Sequence, residues 1–189
     1  MWDPLRTTLF MDLSPTPSVV AEDDVVLLHT ITSPVTIVTT TLTDLDSFVI
    51  PDNDLVAGDI IDMVWEGSLL QNDSSQTIQW ALIYDGVTIF TYTTAATAQN
   101  ASRRRWMVHA VMHVRTPATQ YNSLEGEISN VSAVGSTTVT GIGSGYAVNA
   151  STTDFNAGPK TVKLQGRMVT TAVAVDIRLD MARILKCRT

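Results

Sequence analysis

The sequence predicts an all-β protein, an antiparallel β-sandwich of jelly-roll type with about eight to ten strands. Thr and Ser fill long stretches such as 36–43 (TIVTTTLT), while only 16% of the residues are charged. β-Branched residues fit a half-buried pleated surface, so this composition favours strands. Many short segments also alternate apolar with polar residues between turn signals. That pattern is typical of two packed antiparallel sheets.

The 189 residues are enough for one domain with a substantial core, and we divide them into an arm and a sandwich domain. The extended N-terminal arm is 1–24 and the sandwich is 25–189. Proline breaks regular structure in the arm at Pro4, Pro15 and Pro17. The arm is nevertheless strongly apolar for a free tail, which predicts docking, either on its own domain or on a partner. The predicted docking residues are Trp2, Leu5, Leu9, Phe10, Met11 and Leu13.

The alternating segments place the strands in chain order. The predicted strands are 25–29, 34–41, 47–50, 55–70, 76–84, 87–93, 102–115, a further strand pair within 120–134, the start of 136–148, 161–169 and 172–186. The pair Asp85-Gly86 predicts a tight hairpin turn, and the glycines within 136–148 predict a flexible loop. The last strand places Val173, Val175, Ile177, Leu179 and Met181 on one face. Its length and apolar character suit the central place that a jelly roll gives its final strand.

The segment 102–115 (SRRRWMVHAVMHVR) is the strand around which the rest is arranged. From Trp106 onward its one face is apolar, as expected for a sandwich core. The other face mixes basic, imidazole and apolar groups, which is too polar for a core and too apolar for open water. We therefore predict that this second face contacts another copy of the chain. Its residues are Arg105, Met107, His109, Val111 and His113.

The charge balance argues against several classes of partner. The net charge is −7, whereas nucleic-acid binding needs a clustered basic surface. The short run Arg103-Arg104-Arg105 is expected to form interstrand or interchain ion pairs instead. No stretch approaches the roughly 20 apolar residues of a membrane span, and the N-terminus lacks the apolar region of a secretory signal. We expect neither a nucleic-acid nor a membrane partner.

No residue pattern predicts catalysis, a cofactor or a metal. His109 and His113 lie four apart on one strand face, about 13 Å, so they cannot chelate one metal within a chain. One His from each of three chains could still meet on a threefold axis. The acidic cluster around Asp54 lacks the spacing of a calcium loop. Cys187 stands alone without a nucleophile signature. We expect a protein that is not an enzyme.

Two segments resemble a known kind of module. Gly58–Asn72 (GDIIDMVWEGSLLQN) with Gln76–Tyr84 (QTIQWALIY), and Ala101–Ala110 (ASRRRWMVHA), resemble successive strands of small trimeric jelly-roll modules in structural proteins of tailed bacteriophages. These modules are similar in architecture to tumour-necrosis-factor-like trimers. The resemblance covers roughly Leu55–Thr116.

The resemblance implies a homotrimer used as a capsid decoration (cement) protein, a head spike or a fibre tip. A fibre tip usually follows a long shaft, whereas this sequence has only a short arm, which favours the cement protein. We therefore expect a protein on the outer capsid surface of the virion that binds the major capsid protein through its arm.

The alternative function is a receptor- or carbohydrate-binding module that takes a host surface glycan. Exposed aromatic residues would then line a groove among the loops at one end of the sandwich. The sequence offers Tyr84, Phe90, Tyr92 and Tyr146 for this role.

Overall fold

The structure, a computed structural model, describes eleven strands joined by turns and loops. It covers residues 25–72, 77–96, 98–129, 141–169 and 175–188, with the backbone alone for 141–146. The strands are β1 (Val25–Thr30), β2 (Val35–Ile37), β3 (Thr43–Ile50), β4 (Ile60–Gln71), β5 (Ile78–Tyr84), β6 (Val87–Thr93), β7 (Asn100–Thr116), β8 (Thr119–Ser129), β9 (Gly141–Ser151), β10 (Lys160–Met168) and β11 (Val175–Cys187).

The strands form two antiparallel sheets packed face to face. The seven-stranded sheet has the order β1-β11-β4-β7-β8-β9, with β2 also paired to β11, and the four-stranded sheet has the order β3-β10-β5-β6. β1 and β2 pair with successive parts of one edge of β11, while β4 pairs with its other edge. The last strand is therefore central, as predicted.

This order confirms the predicted jelly-roll sandwich. Apart from β8 and β9, the sets β1-β11-β4-β7 and β3-β10-β5-β6 face each other in jelly-roll order. The count exceeds the predicted eight to ten because β8 and β9 extend the larger sheet beyond β7.

The core between the sheets is built around aromatic side chains. Trp65, Trp80, Trp106, Tyr84 and Phe155 are all essentially buried. The ring of Trp80 lies 5.4 Å from that of Trp106 in the opposite sheet. Trp106 reaches this position because its cross-strand neighbour in β4 is Gly67, and the indole packs over this glycine.

A buried carboxylate joins the two sheets near the middle of the sandwich. Asp46 of β3 accepts hydrogen bonds from the indole Nε1 of Trp65 in β4, at 2.7 Å, and from the backbone N–H of Ser47, at 2.9 Å. His29 Nε2 of β1 lies 2.8 Å from Oδ1 of Asp46, the same oxygen that accepts from Ser47. The His29 ring also stacks on Phe48. The edge strand β1 is thereby fastened to the smaller sheet.

The two ends of the sandwich differ in what they carry. One end, the Val25 end, holds the start of β1 and of β4 and the β7–β8 turn. The opposite end, the Arg104 end, holds the end of β4 beside the start of β7. The chain preceding Val25 therefore joins the domain at the Val25 end.

Three sequence predictions differ from the observed strands. The described part of 120–134 is a single strand, β8, paired to β7 across a turn at Pro117-Ala118. The described part of 136–148 pairs along β8 as strand β9 and is not a loop. Met181 does not share the inner face of β11, because a bulge after Leu179 turns it outward and leaves it 40% exposed. The predicted inward residue Val173 lies outside the described residues.

Candidate functional site

The predicted contact residues lie together on the outward side of the seven-stranded sheet, which we call the outer face. Arg105, Met107, His109, Val111 and His113 alternate along β7 with the buried core residues. Arg105 and His113 are exposed, and the three residues between them are half-buried. The alternation in the sequence therefore predicted correctly that these residues lie on the side of β7 that faces away from the core. Their contact with another chain stays a prediction.

Neighbouring strands add apolar side chains to the outer face. In the cross-strand register, Leu27, Leu185, Val111 and Val148 lie along one row across the sheet. In another row, Glu66 lies between Met107 and Met181, which the bulge turns outward. Leu27 is 57% exposed. The apolar members of the face outside β7 are Leu27, Ile60, Val64, Leu70, Tyr121, Val148, Met181 and Leu185.

Two ion pairs and one histidine–carboxylate contact on the outer face lie within a single chain. Arg103 donates two hydrogen bonds to the carboxylate of Asp176, at 2.6 and 2.8 Å. Arg105 forms an ion pair with Glu66. His109 Nε2 lies 2.6 Å from Asp62 Oδ1. The predicted interstrand ion pairs of Arg103 and Arg105 are therefore confirmed, while Arg104 points into the core and forms none among the described residues.

The outward side of the four-stranded sheet has a different character. Its inner strand β10 presents Lys163, Gln165 and Arg167, and the edge strand β6 presents Thr91 and Thr93. Lys163 and Gln165 are further bound to the carboxylate of Asp44. Most of this side is polar and suits contact with water, with Val49 of β3 as an exposed apolar residue. The outer face of the larger sheet carries more apolar side chains.

The predicted docking residues of the arm all lie outside the described residues. They are Trp2, Leu5, Leu9, Phe10, Met11 and Leu13. Their docking stays a prediction.

A groove of about 370 Å³ lies at the Val25 end, and we call it the loop-end groove. Its walls come from the β5–β6 hairpin and from the end of β9 with the segment that follows. The lining residues are Tyr84, Asp85, Val87, Thr88, Ile89, Asn149, Ala150, Ser151, Thr152, Thr153, Asp154 and Lys160. Lys160 pairs with Asp85 at 3.0 Å. Most of these groups can donate or accept hydrogen bonds.

Buried hydrogen bonds hold the walls of the groove in place. The hydroxyl of Tyr84 donates to Oδ1 of Asn122, whose Nδ2 donates to Oγ of Ser151. Ser151 Oγ in turn donates to Oε1 of Gln120, and Nε2 of Gln120 donates to the carbonyl of Thr153. These bonds connect both sheets, so the groove is preorganised.

The exposed aromatic lining expected for a sugar-binding groove is wrong for the residues that can be judged, although Tyr84 does line the loop-end groove with its side chain buried. Tyr84 and Phe90 are buried in the core, and Tyr92 stacks on Trp80. The side chain of Tyr146 lies outside the description. These aromatic side chains point toward the core. Their strands, β5 and β6, bury successive residues and not only every second one, so an aromatic residue there is not left exposed on an outer face. The groove residues themselves carry no sequence motif, and only their polar turn composition could have indicated them.

Other kinds of site find little support within the described ranges. No group of three or more His, Cys, Asp or Glu residues is arranged there to hold a metal ion. No helix with the length and apolar character of a membrane span occurs among those residues. Asp54, at the acidic cluster, forms an ion pair with the buried Lys186 at 2.5 Å.

No family model matches the chain, and no curated protein matches it. Among solved structures, the chain is similar to the CBM2 module of the evolved Dit of Lactobacillus casei BL23 phage J-1. The identity is 12% over 74% of this chain and 67% of that chain, with a TM-score of 0.32. It is also similar to a chain of infectious bursal disease virus, Gt strain, at 14% identity over 88% of this chain, with a TM-score of 0.35. The chain spans only 42% of that viral chain.

A third similar structure is peanut lectin with a bound 9-residue peptide. The identity is 6% over 84% of this chain and 97% of the lectin, with a TM-score of 0.29. Similarity at this level carries no inference about function.

Proposed function

We propose that this chain is a homotrimeric decoration, or cement, protein on the outer capsid surface of a tailed-phage virion. In this proposal it binds and stabilises the lattice of the major capsid protein and catalyses no reaction. The observation that carries the proposal is the outer face of the seven-stranded sheet, which is half apolar and uncovered in a single chain. The sequence resemblance over Leu55–Thr116 supplies the trimeric state and the phage context.

The outer face has the chemistry of a subunit contact. Large contiguous apolar patches on a soluble protein usually mark an interaction surface. Arg103 and Arg105 are each paired with a carboxylate of the same chain, so covering them would not leave these two charges unpaired. Glu125 and Glu127 of β8, which lie beside His109 and Met107, would need partners from the neighbouring chain. An unpaired buried charge is the feature that most weakens such contacts.

The position of the arm fits attachment to a lattice. In a trimer with a threefold axis, all three arms leave from the same end, here the Val25 end. A segment of 24 residues reaches up to about 80 Å when extended. Three weak apolar contacts made together bind far more firmly than one, because the second and third are effectively intramolecular.

The first test measures the molar mass of the full chain by light scattering. We expect about three times the chain mass of 20.5 kDa, both for the full chain and for a version lacking Met1–Ser18. The variant Met107→Lys should be a monomer. Its ammonium group would lie between the cross-strand neighbours Glu66 and Glu127, so the single chain tolerates the charge while the interface does not.

The matched control is Thr91→Lys, which adds the same charge on the outward side of the four-stranded sheet and should remain a trimer. A monomer for the unmodified chain would overturn the trimer. A trimeric Met107→Lys variant with native circular dichroism would show that the outer face is not the contact. Binding to capsids stripped of the protein then tests the cement role, and loss of the arm should abolish it.

The loop-end groove favours a second candidate function, the binding of a host surface glycan. Its polar and preorganised walls match the hydroxyl groups of a sugar, although no exposed aromatic ring is present among its described residues. The variant Thr88→Trp would place an indole in the groove. If a glycan array shows binding by the full chain that this variant loses, the receptor-binding function is favoured over the cement function.

A further inference from the structure

A group of buried hydrogen-bond donors lies on the inner face of β7 and across from it. Arg104 is 4% exposed, Trp80 1% and Trp106 0%. Nε and Nη1 of Arg104 and the indole Nε1 of each tryptophan have no hydrogen-bond partner. Buried polar groups are paired in the great majority of cases, so four unpaired donors on three neighbouring residues require an explanation.

The three residues cannot satisfy one another. Arg104 and Trp106 are two residues apart on the same face of β7, about 7 Å between Cα atoms, and the Trp106 ring contacts that of Trp80. A guanidinium group and an indole can only donate hydrogen bonds. The cluster therefore needs an acceptor from elsewhere.

The charge of Arg104 narrows the choice of acceptor. Burial lowers the pKa of Arg104, but a guanidinium still carries its charge at neutral pH because its ordinary pKa lies above 12. Its neighbours Arg103 and Arg105 each have a carboxylate partner, and among the described residues Arg104 has none. A neutral acceptor would serve the indoles, whereas an anion would serve them and also pair with the charge of Arg104.

The strand pairing also defines where Arg104 lies along the sandwich. Arg104 pairs with Leu69, near the end of β4 and the start of β7, so it lies close to the Arg104 end of the sandwich. Arg104 therefore lies nearer to that end than Trp106, which pairs with Gly67. The Val25 end, with the arm and the loop-end groove, lies opposite.

We propose that the Arg104 end of the sandwich binds a small oxyanion, such as a carboxylate or phosphate, with Arg104 as its charge partner and the Trp106 indole as a neutral donor. The site does not depend on the trimer or on the arm. Charge-assisted hydrogen bonds from Arg to such anions are among the stronger polar interactions in proteins.

The test follows thermal unfolding of the full chain as formate or phosphate replaces gluconate at constant ionic strength and pH. Gluconate carries a carboxylate but is too bulky for a site this enclosed. At about one hundred times its Kd, the bound anion should raise Tm by roughly 5 to 10 °C for a chain of this size. Formate and phosphate in separate titrations distinguish the two kinds of oxyanion. Tryptophan fluorescence gives an independent binding curve.

Arg104→Met removes the charge with little change in length and should lose the Tm response completely. Arg105→Met, the matched control on the outer face, should keep it. Trp106→Phe keeps a ring but removes one donor and should weaken binding about tenfold. Equal anion responses in the unmodified chain and in Arg104→Met would overturn the proposal, because they would reflect a general salt effect. So would an absent response in the unmodified chain. If Arg104→Met fails to fold, Arg104→Lys serves instead, and an unchanged affinity would refute the role of the guanidinium.

Discussion

At the scale of single residues, buried polar groups do more than the apolar core to define how the strands are arranged. The carboxylate of Asp46 holds His29, Trp65 and a backbone N–H at once. Apolar contacts tolerate small shifts in register, whereas a carboxylate with three partners does not. No sequence pattern indicates this cluster, because His29 and Trp65 lie 17 and 19 residues from Asp46 and belong to different strands.

Replacing Asp46 should therefore be more harmful than a surface carboxylate. Asp46→Asn would remove the charge and place an amide N–H group opposite groups that also donate hydrogen bonds. We expect the free energy of unfolding to fall by about 2 to 3 kcal/mol. We expect Tm to fall by roughly 5 to 10 °C, measured by circular dichroism. Asp52→Asn, in an exposed turn, is the control. Equal and small losses in both variants would contradict this role.

Tyr84 makes a second residue-scale prediction, about alkaline pH. Burial raises the pKa of Tyr84 far above its usual range. In the unfolded chain the phenol ionises near pH 10, so the folded state binds one more proton above that pH. Stability should therefore fall as pH rises beyond about 10. Burial, together with Glu127, also raises the pKa of Tyr92 in the same direction.

Absorbance at 295 nm should show Tyr84 ionising only in step with the loss of the circular dichroism signal. Tyr84→Phe should reduce that step and leave the part that comes from Tyr92, and Tyr121→Phe, an exposed position, should leave it unchanged. Ionisation of Tyr84 before unfolding would be inconsistent with its burial.

At the scale of elements, periodicity predicts faces well and bulges poorly. The alternation in β7 assigned inner and outer sides correctly, because the strand keeps a period of two over most of its length. The alternation in β11 failed at Met181, where an inserted residue reverses the sides. Such an insertion is decided by pairing with β4 and leaves no local signal.

Gly67 of β4 tests how tightly this region is packed. A Cβ added there would lie 1.9 Å from the carbonyl oxygen of Arg178 and 2.7 Å from the Trp106 ring. Because the first neighbour is backbone, Gly67→Ala should cost more than about 3 kcal/mol. Gly166→Ala meets a movable methyl group of Leu45 at 2.8 Å and should cost about 1 kcal/mol. Urea midpoints measure both, and comparable losses would show that β4 can move aside.

At the scale of the whole molecule, the sequence predicted the architecture and missed the sites that form between distant segments. The number of alternating strands and the long apolar last strand lead to a jelly roll. The loop-end groove could not be anticipated, since its walls meet through contacts such as that of Asn149 with the carbonyl of Ile89, 60 residues away. The donor cluster around Arg104 was hidden for the same reason, because Trp80 comes from the opposite sheet.

The proposed trimer makes stability depend on concentration. If the folded state is a trimer and the unfolded state a single chain, mass action raises Tm as the protein becomes more concentrated. We expect a rise over a hundredfold range of concentration for the unmodified chain and none for Met107→Lys. A Tm independent of concentration in both proteins would count against an assembly coupled to folding.

The central place of β11 has a consequence for how the protein is made. β11 lies between β1 and β4 in the larger sheet, yet it is synthesised after the ten other strands. While the ribosomal tunnel still encloses it, β1 and β4 of the nascent chain have no partner along the edges that β11 will occupy, and unpaired strand edges promote aggregation. Folding of this sheet must therefore wait for translation to pass β11, and chaperones that shield strand edges should matter most during that interval.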